Sequence, residues 1–249
     1  MLAGVEQNCE VIVPTITFIA PINVVRYLGA EPVFMDADDY YNIDIEKTIE
    51  FIKNETKFEN GYTINKQTHR RISAIMPVHV LGNAVNLEPL LDICHERNIK
   101  IVEDATESPG TRYNSGELIE KHCGTIGDSG CLSFNGNKII TTGGGGMMLT
   151  DDEVLAERAK YLTTQAKDDS VRYIHNDIGY NFRMTNIQAA MGVAQLEQLP
   201  GFLEKKRRNR QIYRERINDI SGLSIAEVPD YADNNCWMVA MQVDKAVFG

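Results

Sequence analysis

Short runs of apolar residues alternate along this chain with stretches whose apolar positions recur every three or four residues. Glu10-Val-Ile-Val-Pro14 is apolar at each inner position, the pattern of a strand buried on both faces. Further strands are expected over residues 32–35, 72–78, 99–103, 130–134 and 146–149. Helices are expected near 21–28 and 44–53, and again over 87–97, where Leu87, Leu90, Leu91 and Cys94 share one helical face. Thr150-Asp-Asp-Glu153 has the spacing of a capping box that opens the next helix. The stretch 54–71 is polar and without period, and reads as a surface excursion.

From about Thr185 the pattern changes. Ile187, Ala190, Met191, Ala194, Leu196 and Leu199 lie on a helix that should break near Pro200-Gly201, before a long charged helix running to about residue 220. Residues 221–229 then turn, and Trp237 to Val243 looks strand-like. Strands separated by helices predict an α/β fold with a mostly parallel sheet flanked by helices, followed by the start of a small C-terminal α+β unit. The expected division is 1–200 and 201–249. In such sheets ligands collect at the carboxyl ends of the strands. Asp36, residues 77–82, Asp104 and residues 133–138 would lie along that edge.

The bulk composition narrows the field. With 249 residues, 43% hydrophobic and 24% charged, the chain has the make-up of an ordinary globular protein. A net charge of -10 argues against a nucleic-acid surface, which needs clustered cations. The basic run Lys205 to Arg208 falls on the long helix and reads as a solvated face. Five scattered cysteines show neither zinc-ligand nor disulfide spacing, which suits reduced thiols in a cytoplasm and no metal. No apolar stretch is long enough to span a membrane, and no signal peptide is evident. Both ends of the sequence read as cut, so a fragment of a longer protein is expected.

Candidate chemistry centres on Lys138, in Ser133-Phe-Asn-Gly-Asn-Lys138-Ile-Ile-Thr-Thr-Gly-Gly-Gly-Gly146. A lysine that forms a Schiff base must be held in place and must spend time as the neutral amine. For an ordinary lysine of pKa about 10.4, only about one amine in 2,500 is neutral at pH 7, a cost of roughly 4–5 kcal/mol. A polar turn after an apolar strand, followed by four glycines, could provide a site that lowers that cost. Glu103 and Asp104 end a buried strand, and alternation lets only one of them face a given ligand. A carboxylate there could pair with a protonated pyridine nitrogen, although read alone it is more plainly a structural acid capping the next helix. Ser133 is placed to donate to a phosphate, the glycines let the backbone pass close to a cofactor, and Asn181 lies in a polar loop before a helix.

Taken together these motifs resemble the DegT–StrS sugar-nucleotide aminotransferases. The match runs through Glu103-Asp104-Ala, the Ser133-Phe-x-x-x-Lys138 run with its glycines, and Gly179-Tyr-Asn181-x-Arg-Met-Thr185-Asn-x-Gln-Ala-Ala190. Val11 to Phe18, Ala30 to Asp36 and Pro77 to Gly82 match as well. The resemblance implies the aspartate-aminotransferase fold and pyridoxal 5'-phosphate as cofactor. It implies Lys138 as the lysine that bonds the cofactor and then moves the proton, with Asp104 on the ring nitrogen. Ser133 would hold the phosphate and Phe18 would stack on the ring. Asn181 would reach the phosphate of a neighbouring subunit, which requires a homodimer. Glu107 stands where many members have a glutamine touching the cofactor's ring oxygen. His79 falls within a matching motif without an assigned role. The family's phosphate-cradling Gly-Thr loop is expected upstream of Met1.

The expected reaction is amino transfer from glutamate to a nucleotide-linked 4-keto-6-deoxy sugar. Asn135-Gly-Asn137 and the four-glycine run resemble members of legionaminic-acid-type pathways, which implies a UDP-linked N-acetylhexosamine. Two alternatives stand beside it. One is a cofactor-binding or degenerate protein without turnover. The other is a sugar dehydratase on the same scaffold, whose known forms replace the lysine with histidine.

Overall fold

The computed structural model describes residues 1–169 and 171–249. The chain begins with β1 (Glu10–Pro14), α1 (Ile19–Tyr27), β2 (Glu31–Met35), α2 (Ile45–Asn54), β3 (Thr56–Glu59), β4 (Tyr62–Asn65) and β5 (Arg71–Ile75). Next come α3 (Glu88–Glu96), β6 (Lys100–Asp104), β7 (Arg112–Tyr113), β8 (Ser129–Ser133), β9 (Gly146–Leu149) and α4 (Glu153–Thr163). The remainder is α5 (Asn186–Leu196), α6 (Leu199–Ile217), β10 (Leu223–Ile225), β11 (Ala232–Asp233), β12 (Met241–Val243) and α7 (Lys245–Phe248).

The main sheet runs β2-β1-β5-β6-β8-β9. Every pairing along that path is parallel except β8 with β9, so the expected α/β architecture is present. Alternation along β1, with a register shift between Ile72 and Ala74 in β5, feeds two apolar layers. Val11, Val13 and Ala74 pack with Ile22 and Val25 of α1, while Ile12, Ile72 and Ile75 pack with Ile52 of α2 and Leu90 and Ile93 of α3. All five residues of β1 are buried, as its unbroken apolar run requires. No helix among the described residues is long and apolar enough to cross a membrane.

Four local expectations are corrected. Residues 54–71 contain the β3–β4 hairpin, and β4 joins the first residues of β5. Its buried residues are polar because each polar group has a partner, which hides the strands from a hydropathy reading. Thr63 Oγ1 donates to Arg97 O at 2.5 Å, and Asn65 Nδ2 donates to Glu10 Oε2 at 2.8 Å. At α4 the cap is Asp152, whose carboxylate accepts from Val154 N and Leu155 N, so Thr150 does not form a capping box. Thr150 Oγ1 is instead engaged with Asp128 O at 2.7 Å. The break expected at Pro200-Gly201 lies before Leu199, because proline is tolerated in the first turn of α6, where its missing N–H has no partner to lose. Only 241–243 of the strand-like stretch after Trp237 forms a strand, pairing with β10.

The C-terminal segment crosses back over the sheet body. β11 pairs with β7, aligning Ala232 with Tyr113 and Asp233 with Arg112. Asn234, Asn235, Cys236 and Trp237 are all buried by that return.

Candidate active site

β8 delivers Ser133 to the carboxyl edge of the sheet, where the backbone turns sharply. Lys138 N donates to Asn135 O at 3.0 Å, and Thr142 N donates to Phe134 O at 3.0 Å, so the lysine sits on a closed loop. The glycine run then returns the chain into β9. Gly145, at φ 93°, takes a conformation that a side chain would strain, and its carbonyl accepts from Phe134 N at 3.0 Å.

The Lys138 side chain is nearly enclosed, at 8% exposure. Its Nζ lies 4.6 Å from the centre of the Trp237 ring, 5.6 Å from that of Phe18 and 3.9 Å from Glu107 Oε1. An amine over aromatic faces is attracted by the ring quadrupole when charged. Glu107 is itself buried, and its Oε2 accepts from Leu81 N at 2.6 Å. Burial raises the Glu107 pKa above the ordinary carboxylate range, with Asp104 adding to the rise, against the lowering pull of the Leu81 amide and Lys138.

Phe18 occupies the N-cap position of α1 without a side-chain cap bond, and the residue is 60% exposed. With Ile16, Thr17, Val80, Leu81 and Glu107 it lines an open cleft of about 230 Å³ beside the lysine. Asp104 ends β6 with its backbone pinned: Asp104 N donates to Pro77 O at 2.9 Å and His79 N to Asp104 O at 3.0 Å. Its Oδ1 accepts from Thr106 N at 3.1 Å. Ser133 Oγ accepts from Asn135 N at 3.3 Å, a bond that leaves the hydroxyl hydrogen free to donate.

The structure therefore brings Lys138, Glu107 and Phe18 into one cluster, with Asp104 and Ser133 on the same sheet edge. Asn181 is not joined to them by any hydrogen bond or ion pair among the described residues. It is exposed and bridges Thr164 on its own loop.

Glu103 points to the other face of β6. It is fully buried and accepts four hydrogen bonds: His79 Nε2 at 2.9 Å, Gly124 N at 2.7 Å, Ile126 N at 2.6 Å and Gly127 N at 2.7 Å. On the histidine, Val85 N donates to Nδ1 at 3.0 Å, so Nδ1 presents its lone pair and Nε2 carries the proton aimed at Glu103. His79 and Glu103 thus form a buried brace behind the site.

Trp237 was not among the residues singled out by pattern. It is the chain's one tryptophan, but the lysine turn that its indole N–H reaches lies 100 positions back along the chain. Leu81 is a second omission, because it acts through a backbone amide that its side chain does not announce.

The model of the DegT/DnrJ/EryC1/StrS aminotransferase family matches residues 1–247, and the chain belongs to that family. It is 36% identical over 238 residues to GDP-perosamine synthase of Escherichia coli O157:H7, covering 96% of this chain and 59% of that one. It is 39% identical over 215 residues to GDP-perosamine synthase of Caulobacter vibrioides, covering 86% of this chain and 52% of that one. Among solved structures, a DegT DnrJ EryC1 StrS aminotransferase from Brucella abortus superposes with a TM-score of 0.84 at 28% identity, covering 98% of this chain and 61% of that one. The chain thus spans little more than half the length of the curated relatives it matches.

Proposed function

We propose that this chain carries the cofactor site of a pyridoxal-phosphate-dependent aminotransferase that moves an amino group from glutamate to a nucleotide-linked 4-keto-6-deoxy sugar. The observation that carries this reading is the Lys138 amine, enclosed by two aromatic rings and a carboxylate at the carboxyl edge of a parallel sheet. The residues fit the cofactor by type. They offer an amine for its aldehyde, an exposed ring face for its pyridine, a carboxylate for its ring nitrogen and a hydroxyl for its phosphate.

In this reading Lys138 would hold the cofactor through its aldehyde, Phe18 would stack on its ring, Asp104 would pair with its ring nitrogen and Ser133 would bind its phosphate. Bound there, pyridoxal phosphate supplies the electron sink that lets a proton leave the carbon bearing the amino group. Lys138 Nζ would be the base that carries that proton. Glu107 would face the cofactor's ring oxygen in this reading, and an ionised carboxylate would repel that oxygen. Burial raises the Glu107 pKa above the ordinary carboxylate range, which works against that repulsion.

The exposed Asn181 is free to reach a neighbouring copy's phosphate. α5 buries none of its own residues and leaves Ile187, Val193 and Leu196 exposed, which supports a homodimer with a shared site. Two relatives are named for GDP-perosamine, which supports a nucleotide sugar as the substrate class. The assignment to a UDP-linked N-acetylhexosamine rests on the resemblance of the lysine loop.

The test uses the full chain with pyridoxal phosphate. A visible absorbance band should form, and borohydride should fix the cofactor to Lys138. Nitrogen from isotopically labelled glutamate should pass to a UDP-linked keto sugar in preference to a GDP-linked one. Amino transfer that survives Lys138→Ala would overturn the assignment. Cofactor fixed to Lys138 with no transfer to any keto-sugar nucleotide would mark a binding protein instead.

A further inference from the structure

The tryptophan that covers Lys138 arrives from the far end of the chain, and its anchors end on the lysine's own surroundings. Trp237 Nε1 donates to Asn137 O at 2.8 Å, on the residue that precedes the lysine. The Trp237 backbone N donates to Asn235 Oδ1 at 2.9 Å. Asn235 Nδ2 in turn donates to Glu107 O at 2.8 Å and Pro109 O at 3.1 Å. From α6, Lys206 Nζ donates to Trp237 O at 3.0 Å. One short segment therefore holds the lysine turn, the Glu107 backbone and the long helix together.

Trp237 also packs with Phe134, Ile139 and Ile140, as a core residue would. Filling that cluster requires neither an indole N–H aimed at the lysine's turn nor a ring face 4.6 Å from the amine. We propose that Trp237 is a positioning residue for Lys138, its N–H fixing the turn while its ring fixes the direction of the amine. The inference rests on the proposed function for its purpose, but its test needs neither cofactor nor substrate.

The full chain without added cofactor is labelled with trace acetic anhydride, and the rate at each lysine is read by mass spectrometry. Exposed Lys205 serves as the internal reference. Trp237→Leu should raise the Lys138-to-Lys205 ratio about fivefold, the factor that about 1 kcal/mol of ring–cation contact corresponds to. Trp237→Phe keeps a ring face and should give a smaller rise. An unchanged ratio in a folded Trp237→Leu protein overturns the proposal. Should that variant fail to fold, the decision passes to the parent protein, where Trp237 is the one source of tryptophan emission. Lys138→Met should then shift that emission at unchanged far-ultraviolet circular dichroism, and identical emission spectra would overturn the proposal. Absent amino transfer would sink the proposed function while leaving both of these readings standing.

Discussion

Replacing Glu103 by glutamine exchanges one oxygen for an amide nitrogen at almost constant volume, yet at this position the exchange reverses the sense of two hydrogen bonds. Glu103 Oε2 accepts from His79 Nε2 and Gly124 N, and Oε1 accepts from Ile126 N and Gly127 N. Whichever way the amide is oriented, its NH2 meets two donors. His79 cannot adapt by moving its proton, because Val85 N already donates to Nδ1. Two buried hydrogen bonds to a charged acceptor are lost, at about 1.5–3 kcal/mol each, so Glu103→Gln should cost about 3–6 kcal/mol. Against a total stability of about 5–15 kcal/mol that is a large fraction. Urea unfolding at pH 7, followed by far-ultraviolet circular dichroism, measures it directly.

The pH dependence gives an independent check. Burial works to raise the Glu103 pKa, but His79 and the Gly127 and Gly124 amides outweigh it and hold the carboxyl below the ordinary 4.5. A depressed folded-state pKa contributes stability that is present above 4.5 and lost as pH falls through the folded value. The gap between the parent protein and Glu103→Gln should therefore be full at pH 6–7 and shrink in acid. A variant within about 1 kcal/mol of the parent at pH 7, or a gap that widens on acidification, would refute the role assigned to this brace.

Glu107→Gln should behave in the opposite sense. Burial raises this carboxyl above its ordinary 4.5, so its contribution is complete below 4.5 and is lost as pH rises through the folded value. The glutamine, which can still accept from Leu81 N, should match the parent in acid and unfold at higher urea at pH 7; a lower midpoint at pH 7 would contradict this. Gly130→Ala places a methyl group 2.0 Å from Gly124 O and 2.6 Å from Gly124 C, both backbone atoms beside the Glu103 carboxylate. It should cost about 3 kcal/mol or more in urea unfolding and be non-additive with Glu103→Gln, since both disturb one network.

Much of the secondary structure was legible because it depends on local partition between water and core. The run Val11-Ile-Val13 reads as a buried strand, and the three-and-four spacing through Leu90 and Cys94 reads as one buried helical face; both are present. β3 and β4 escaped notice because buried Thr56, Thr63 and Asn65 carry polar groups whose partners lie on other elements. α5 was legible as a helix, but nothing local states that Ile187 and Leu196 remain uncovered in the single chain.

At the candidate site the division runs along the same line. The sequence by itself placed Lys138 on a turn after a strand, flanked by Ser133 and glycines. It also restricted Glu103 and Asp104 to opposite faces, because alternation is a property of any strand. Which of the two is the structural acid was decided by tertiary contacts, when His79 and the amides of 124–127 closed on Glu103 and left Asp104 at the sheet edge. The enclosure of Lys138 was decided in the same way. Phe18, Glu107 and Trp237 come from three distant segments, and only the folded chain sets their rings and carboxylate around one amine. Periodicity records which side of an element faces the core, but it does not record which partner is waiting there.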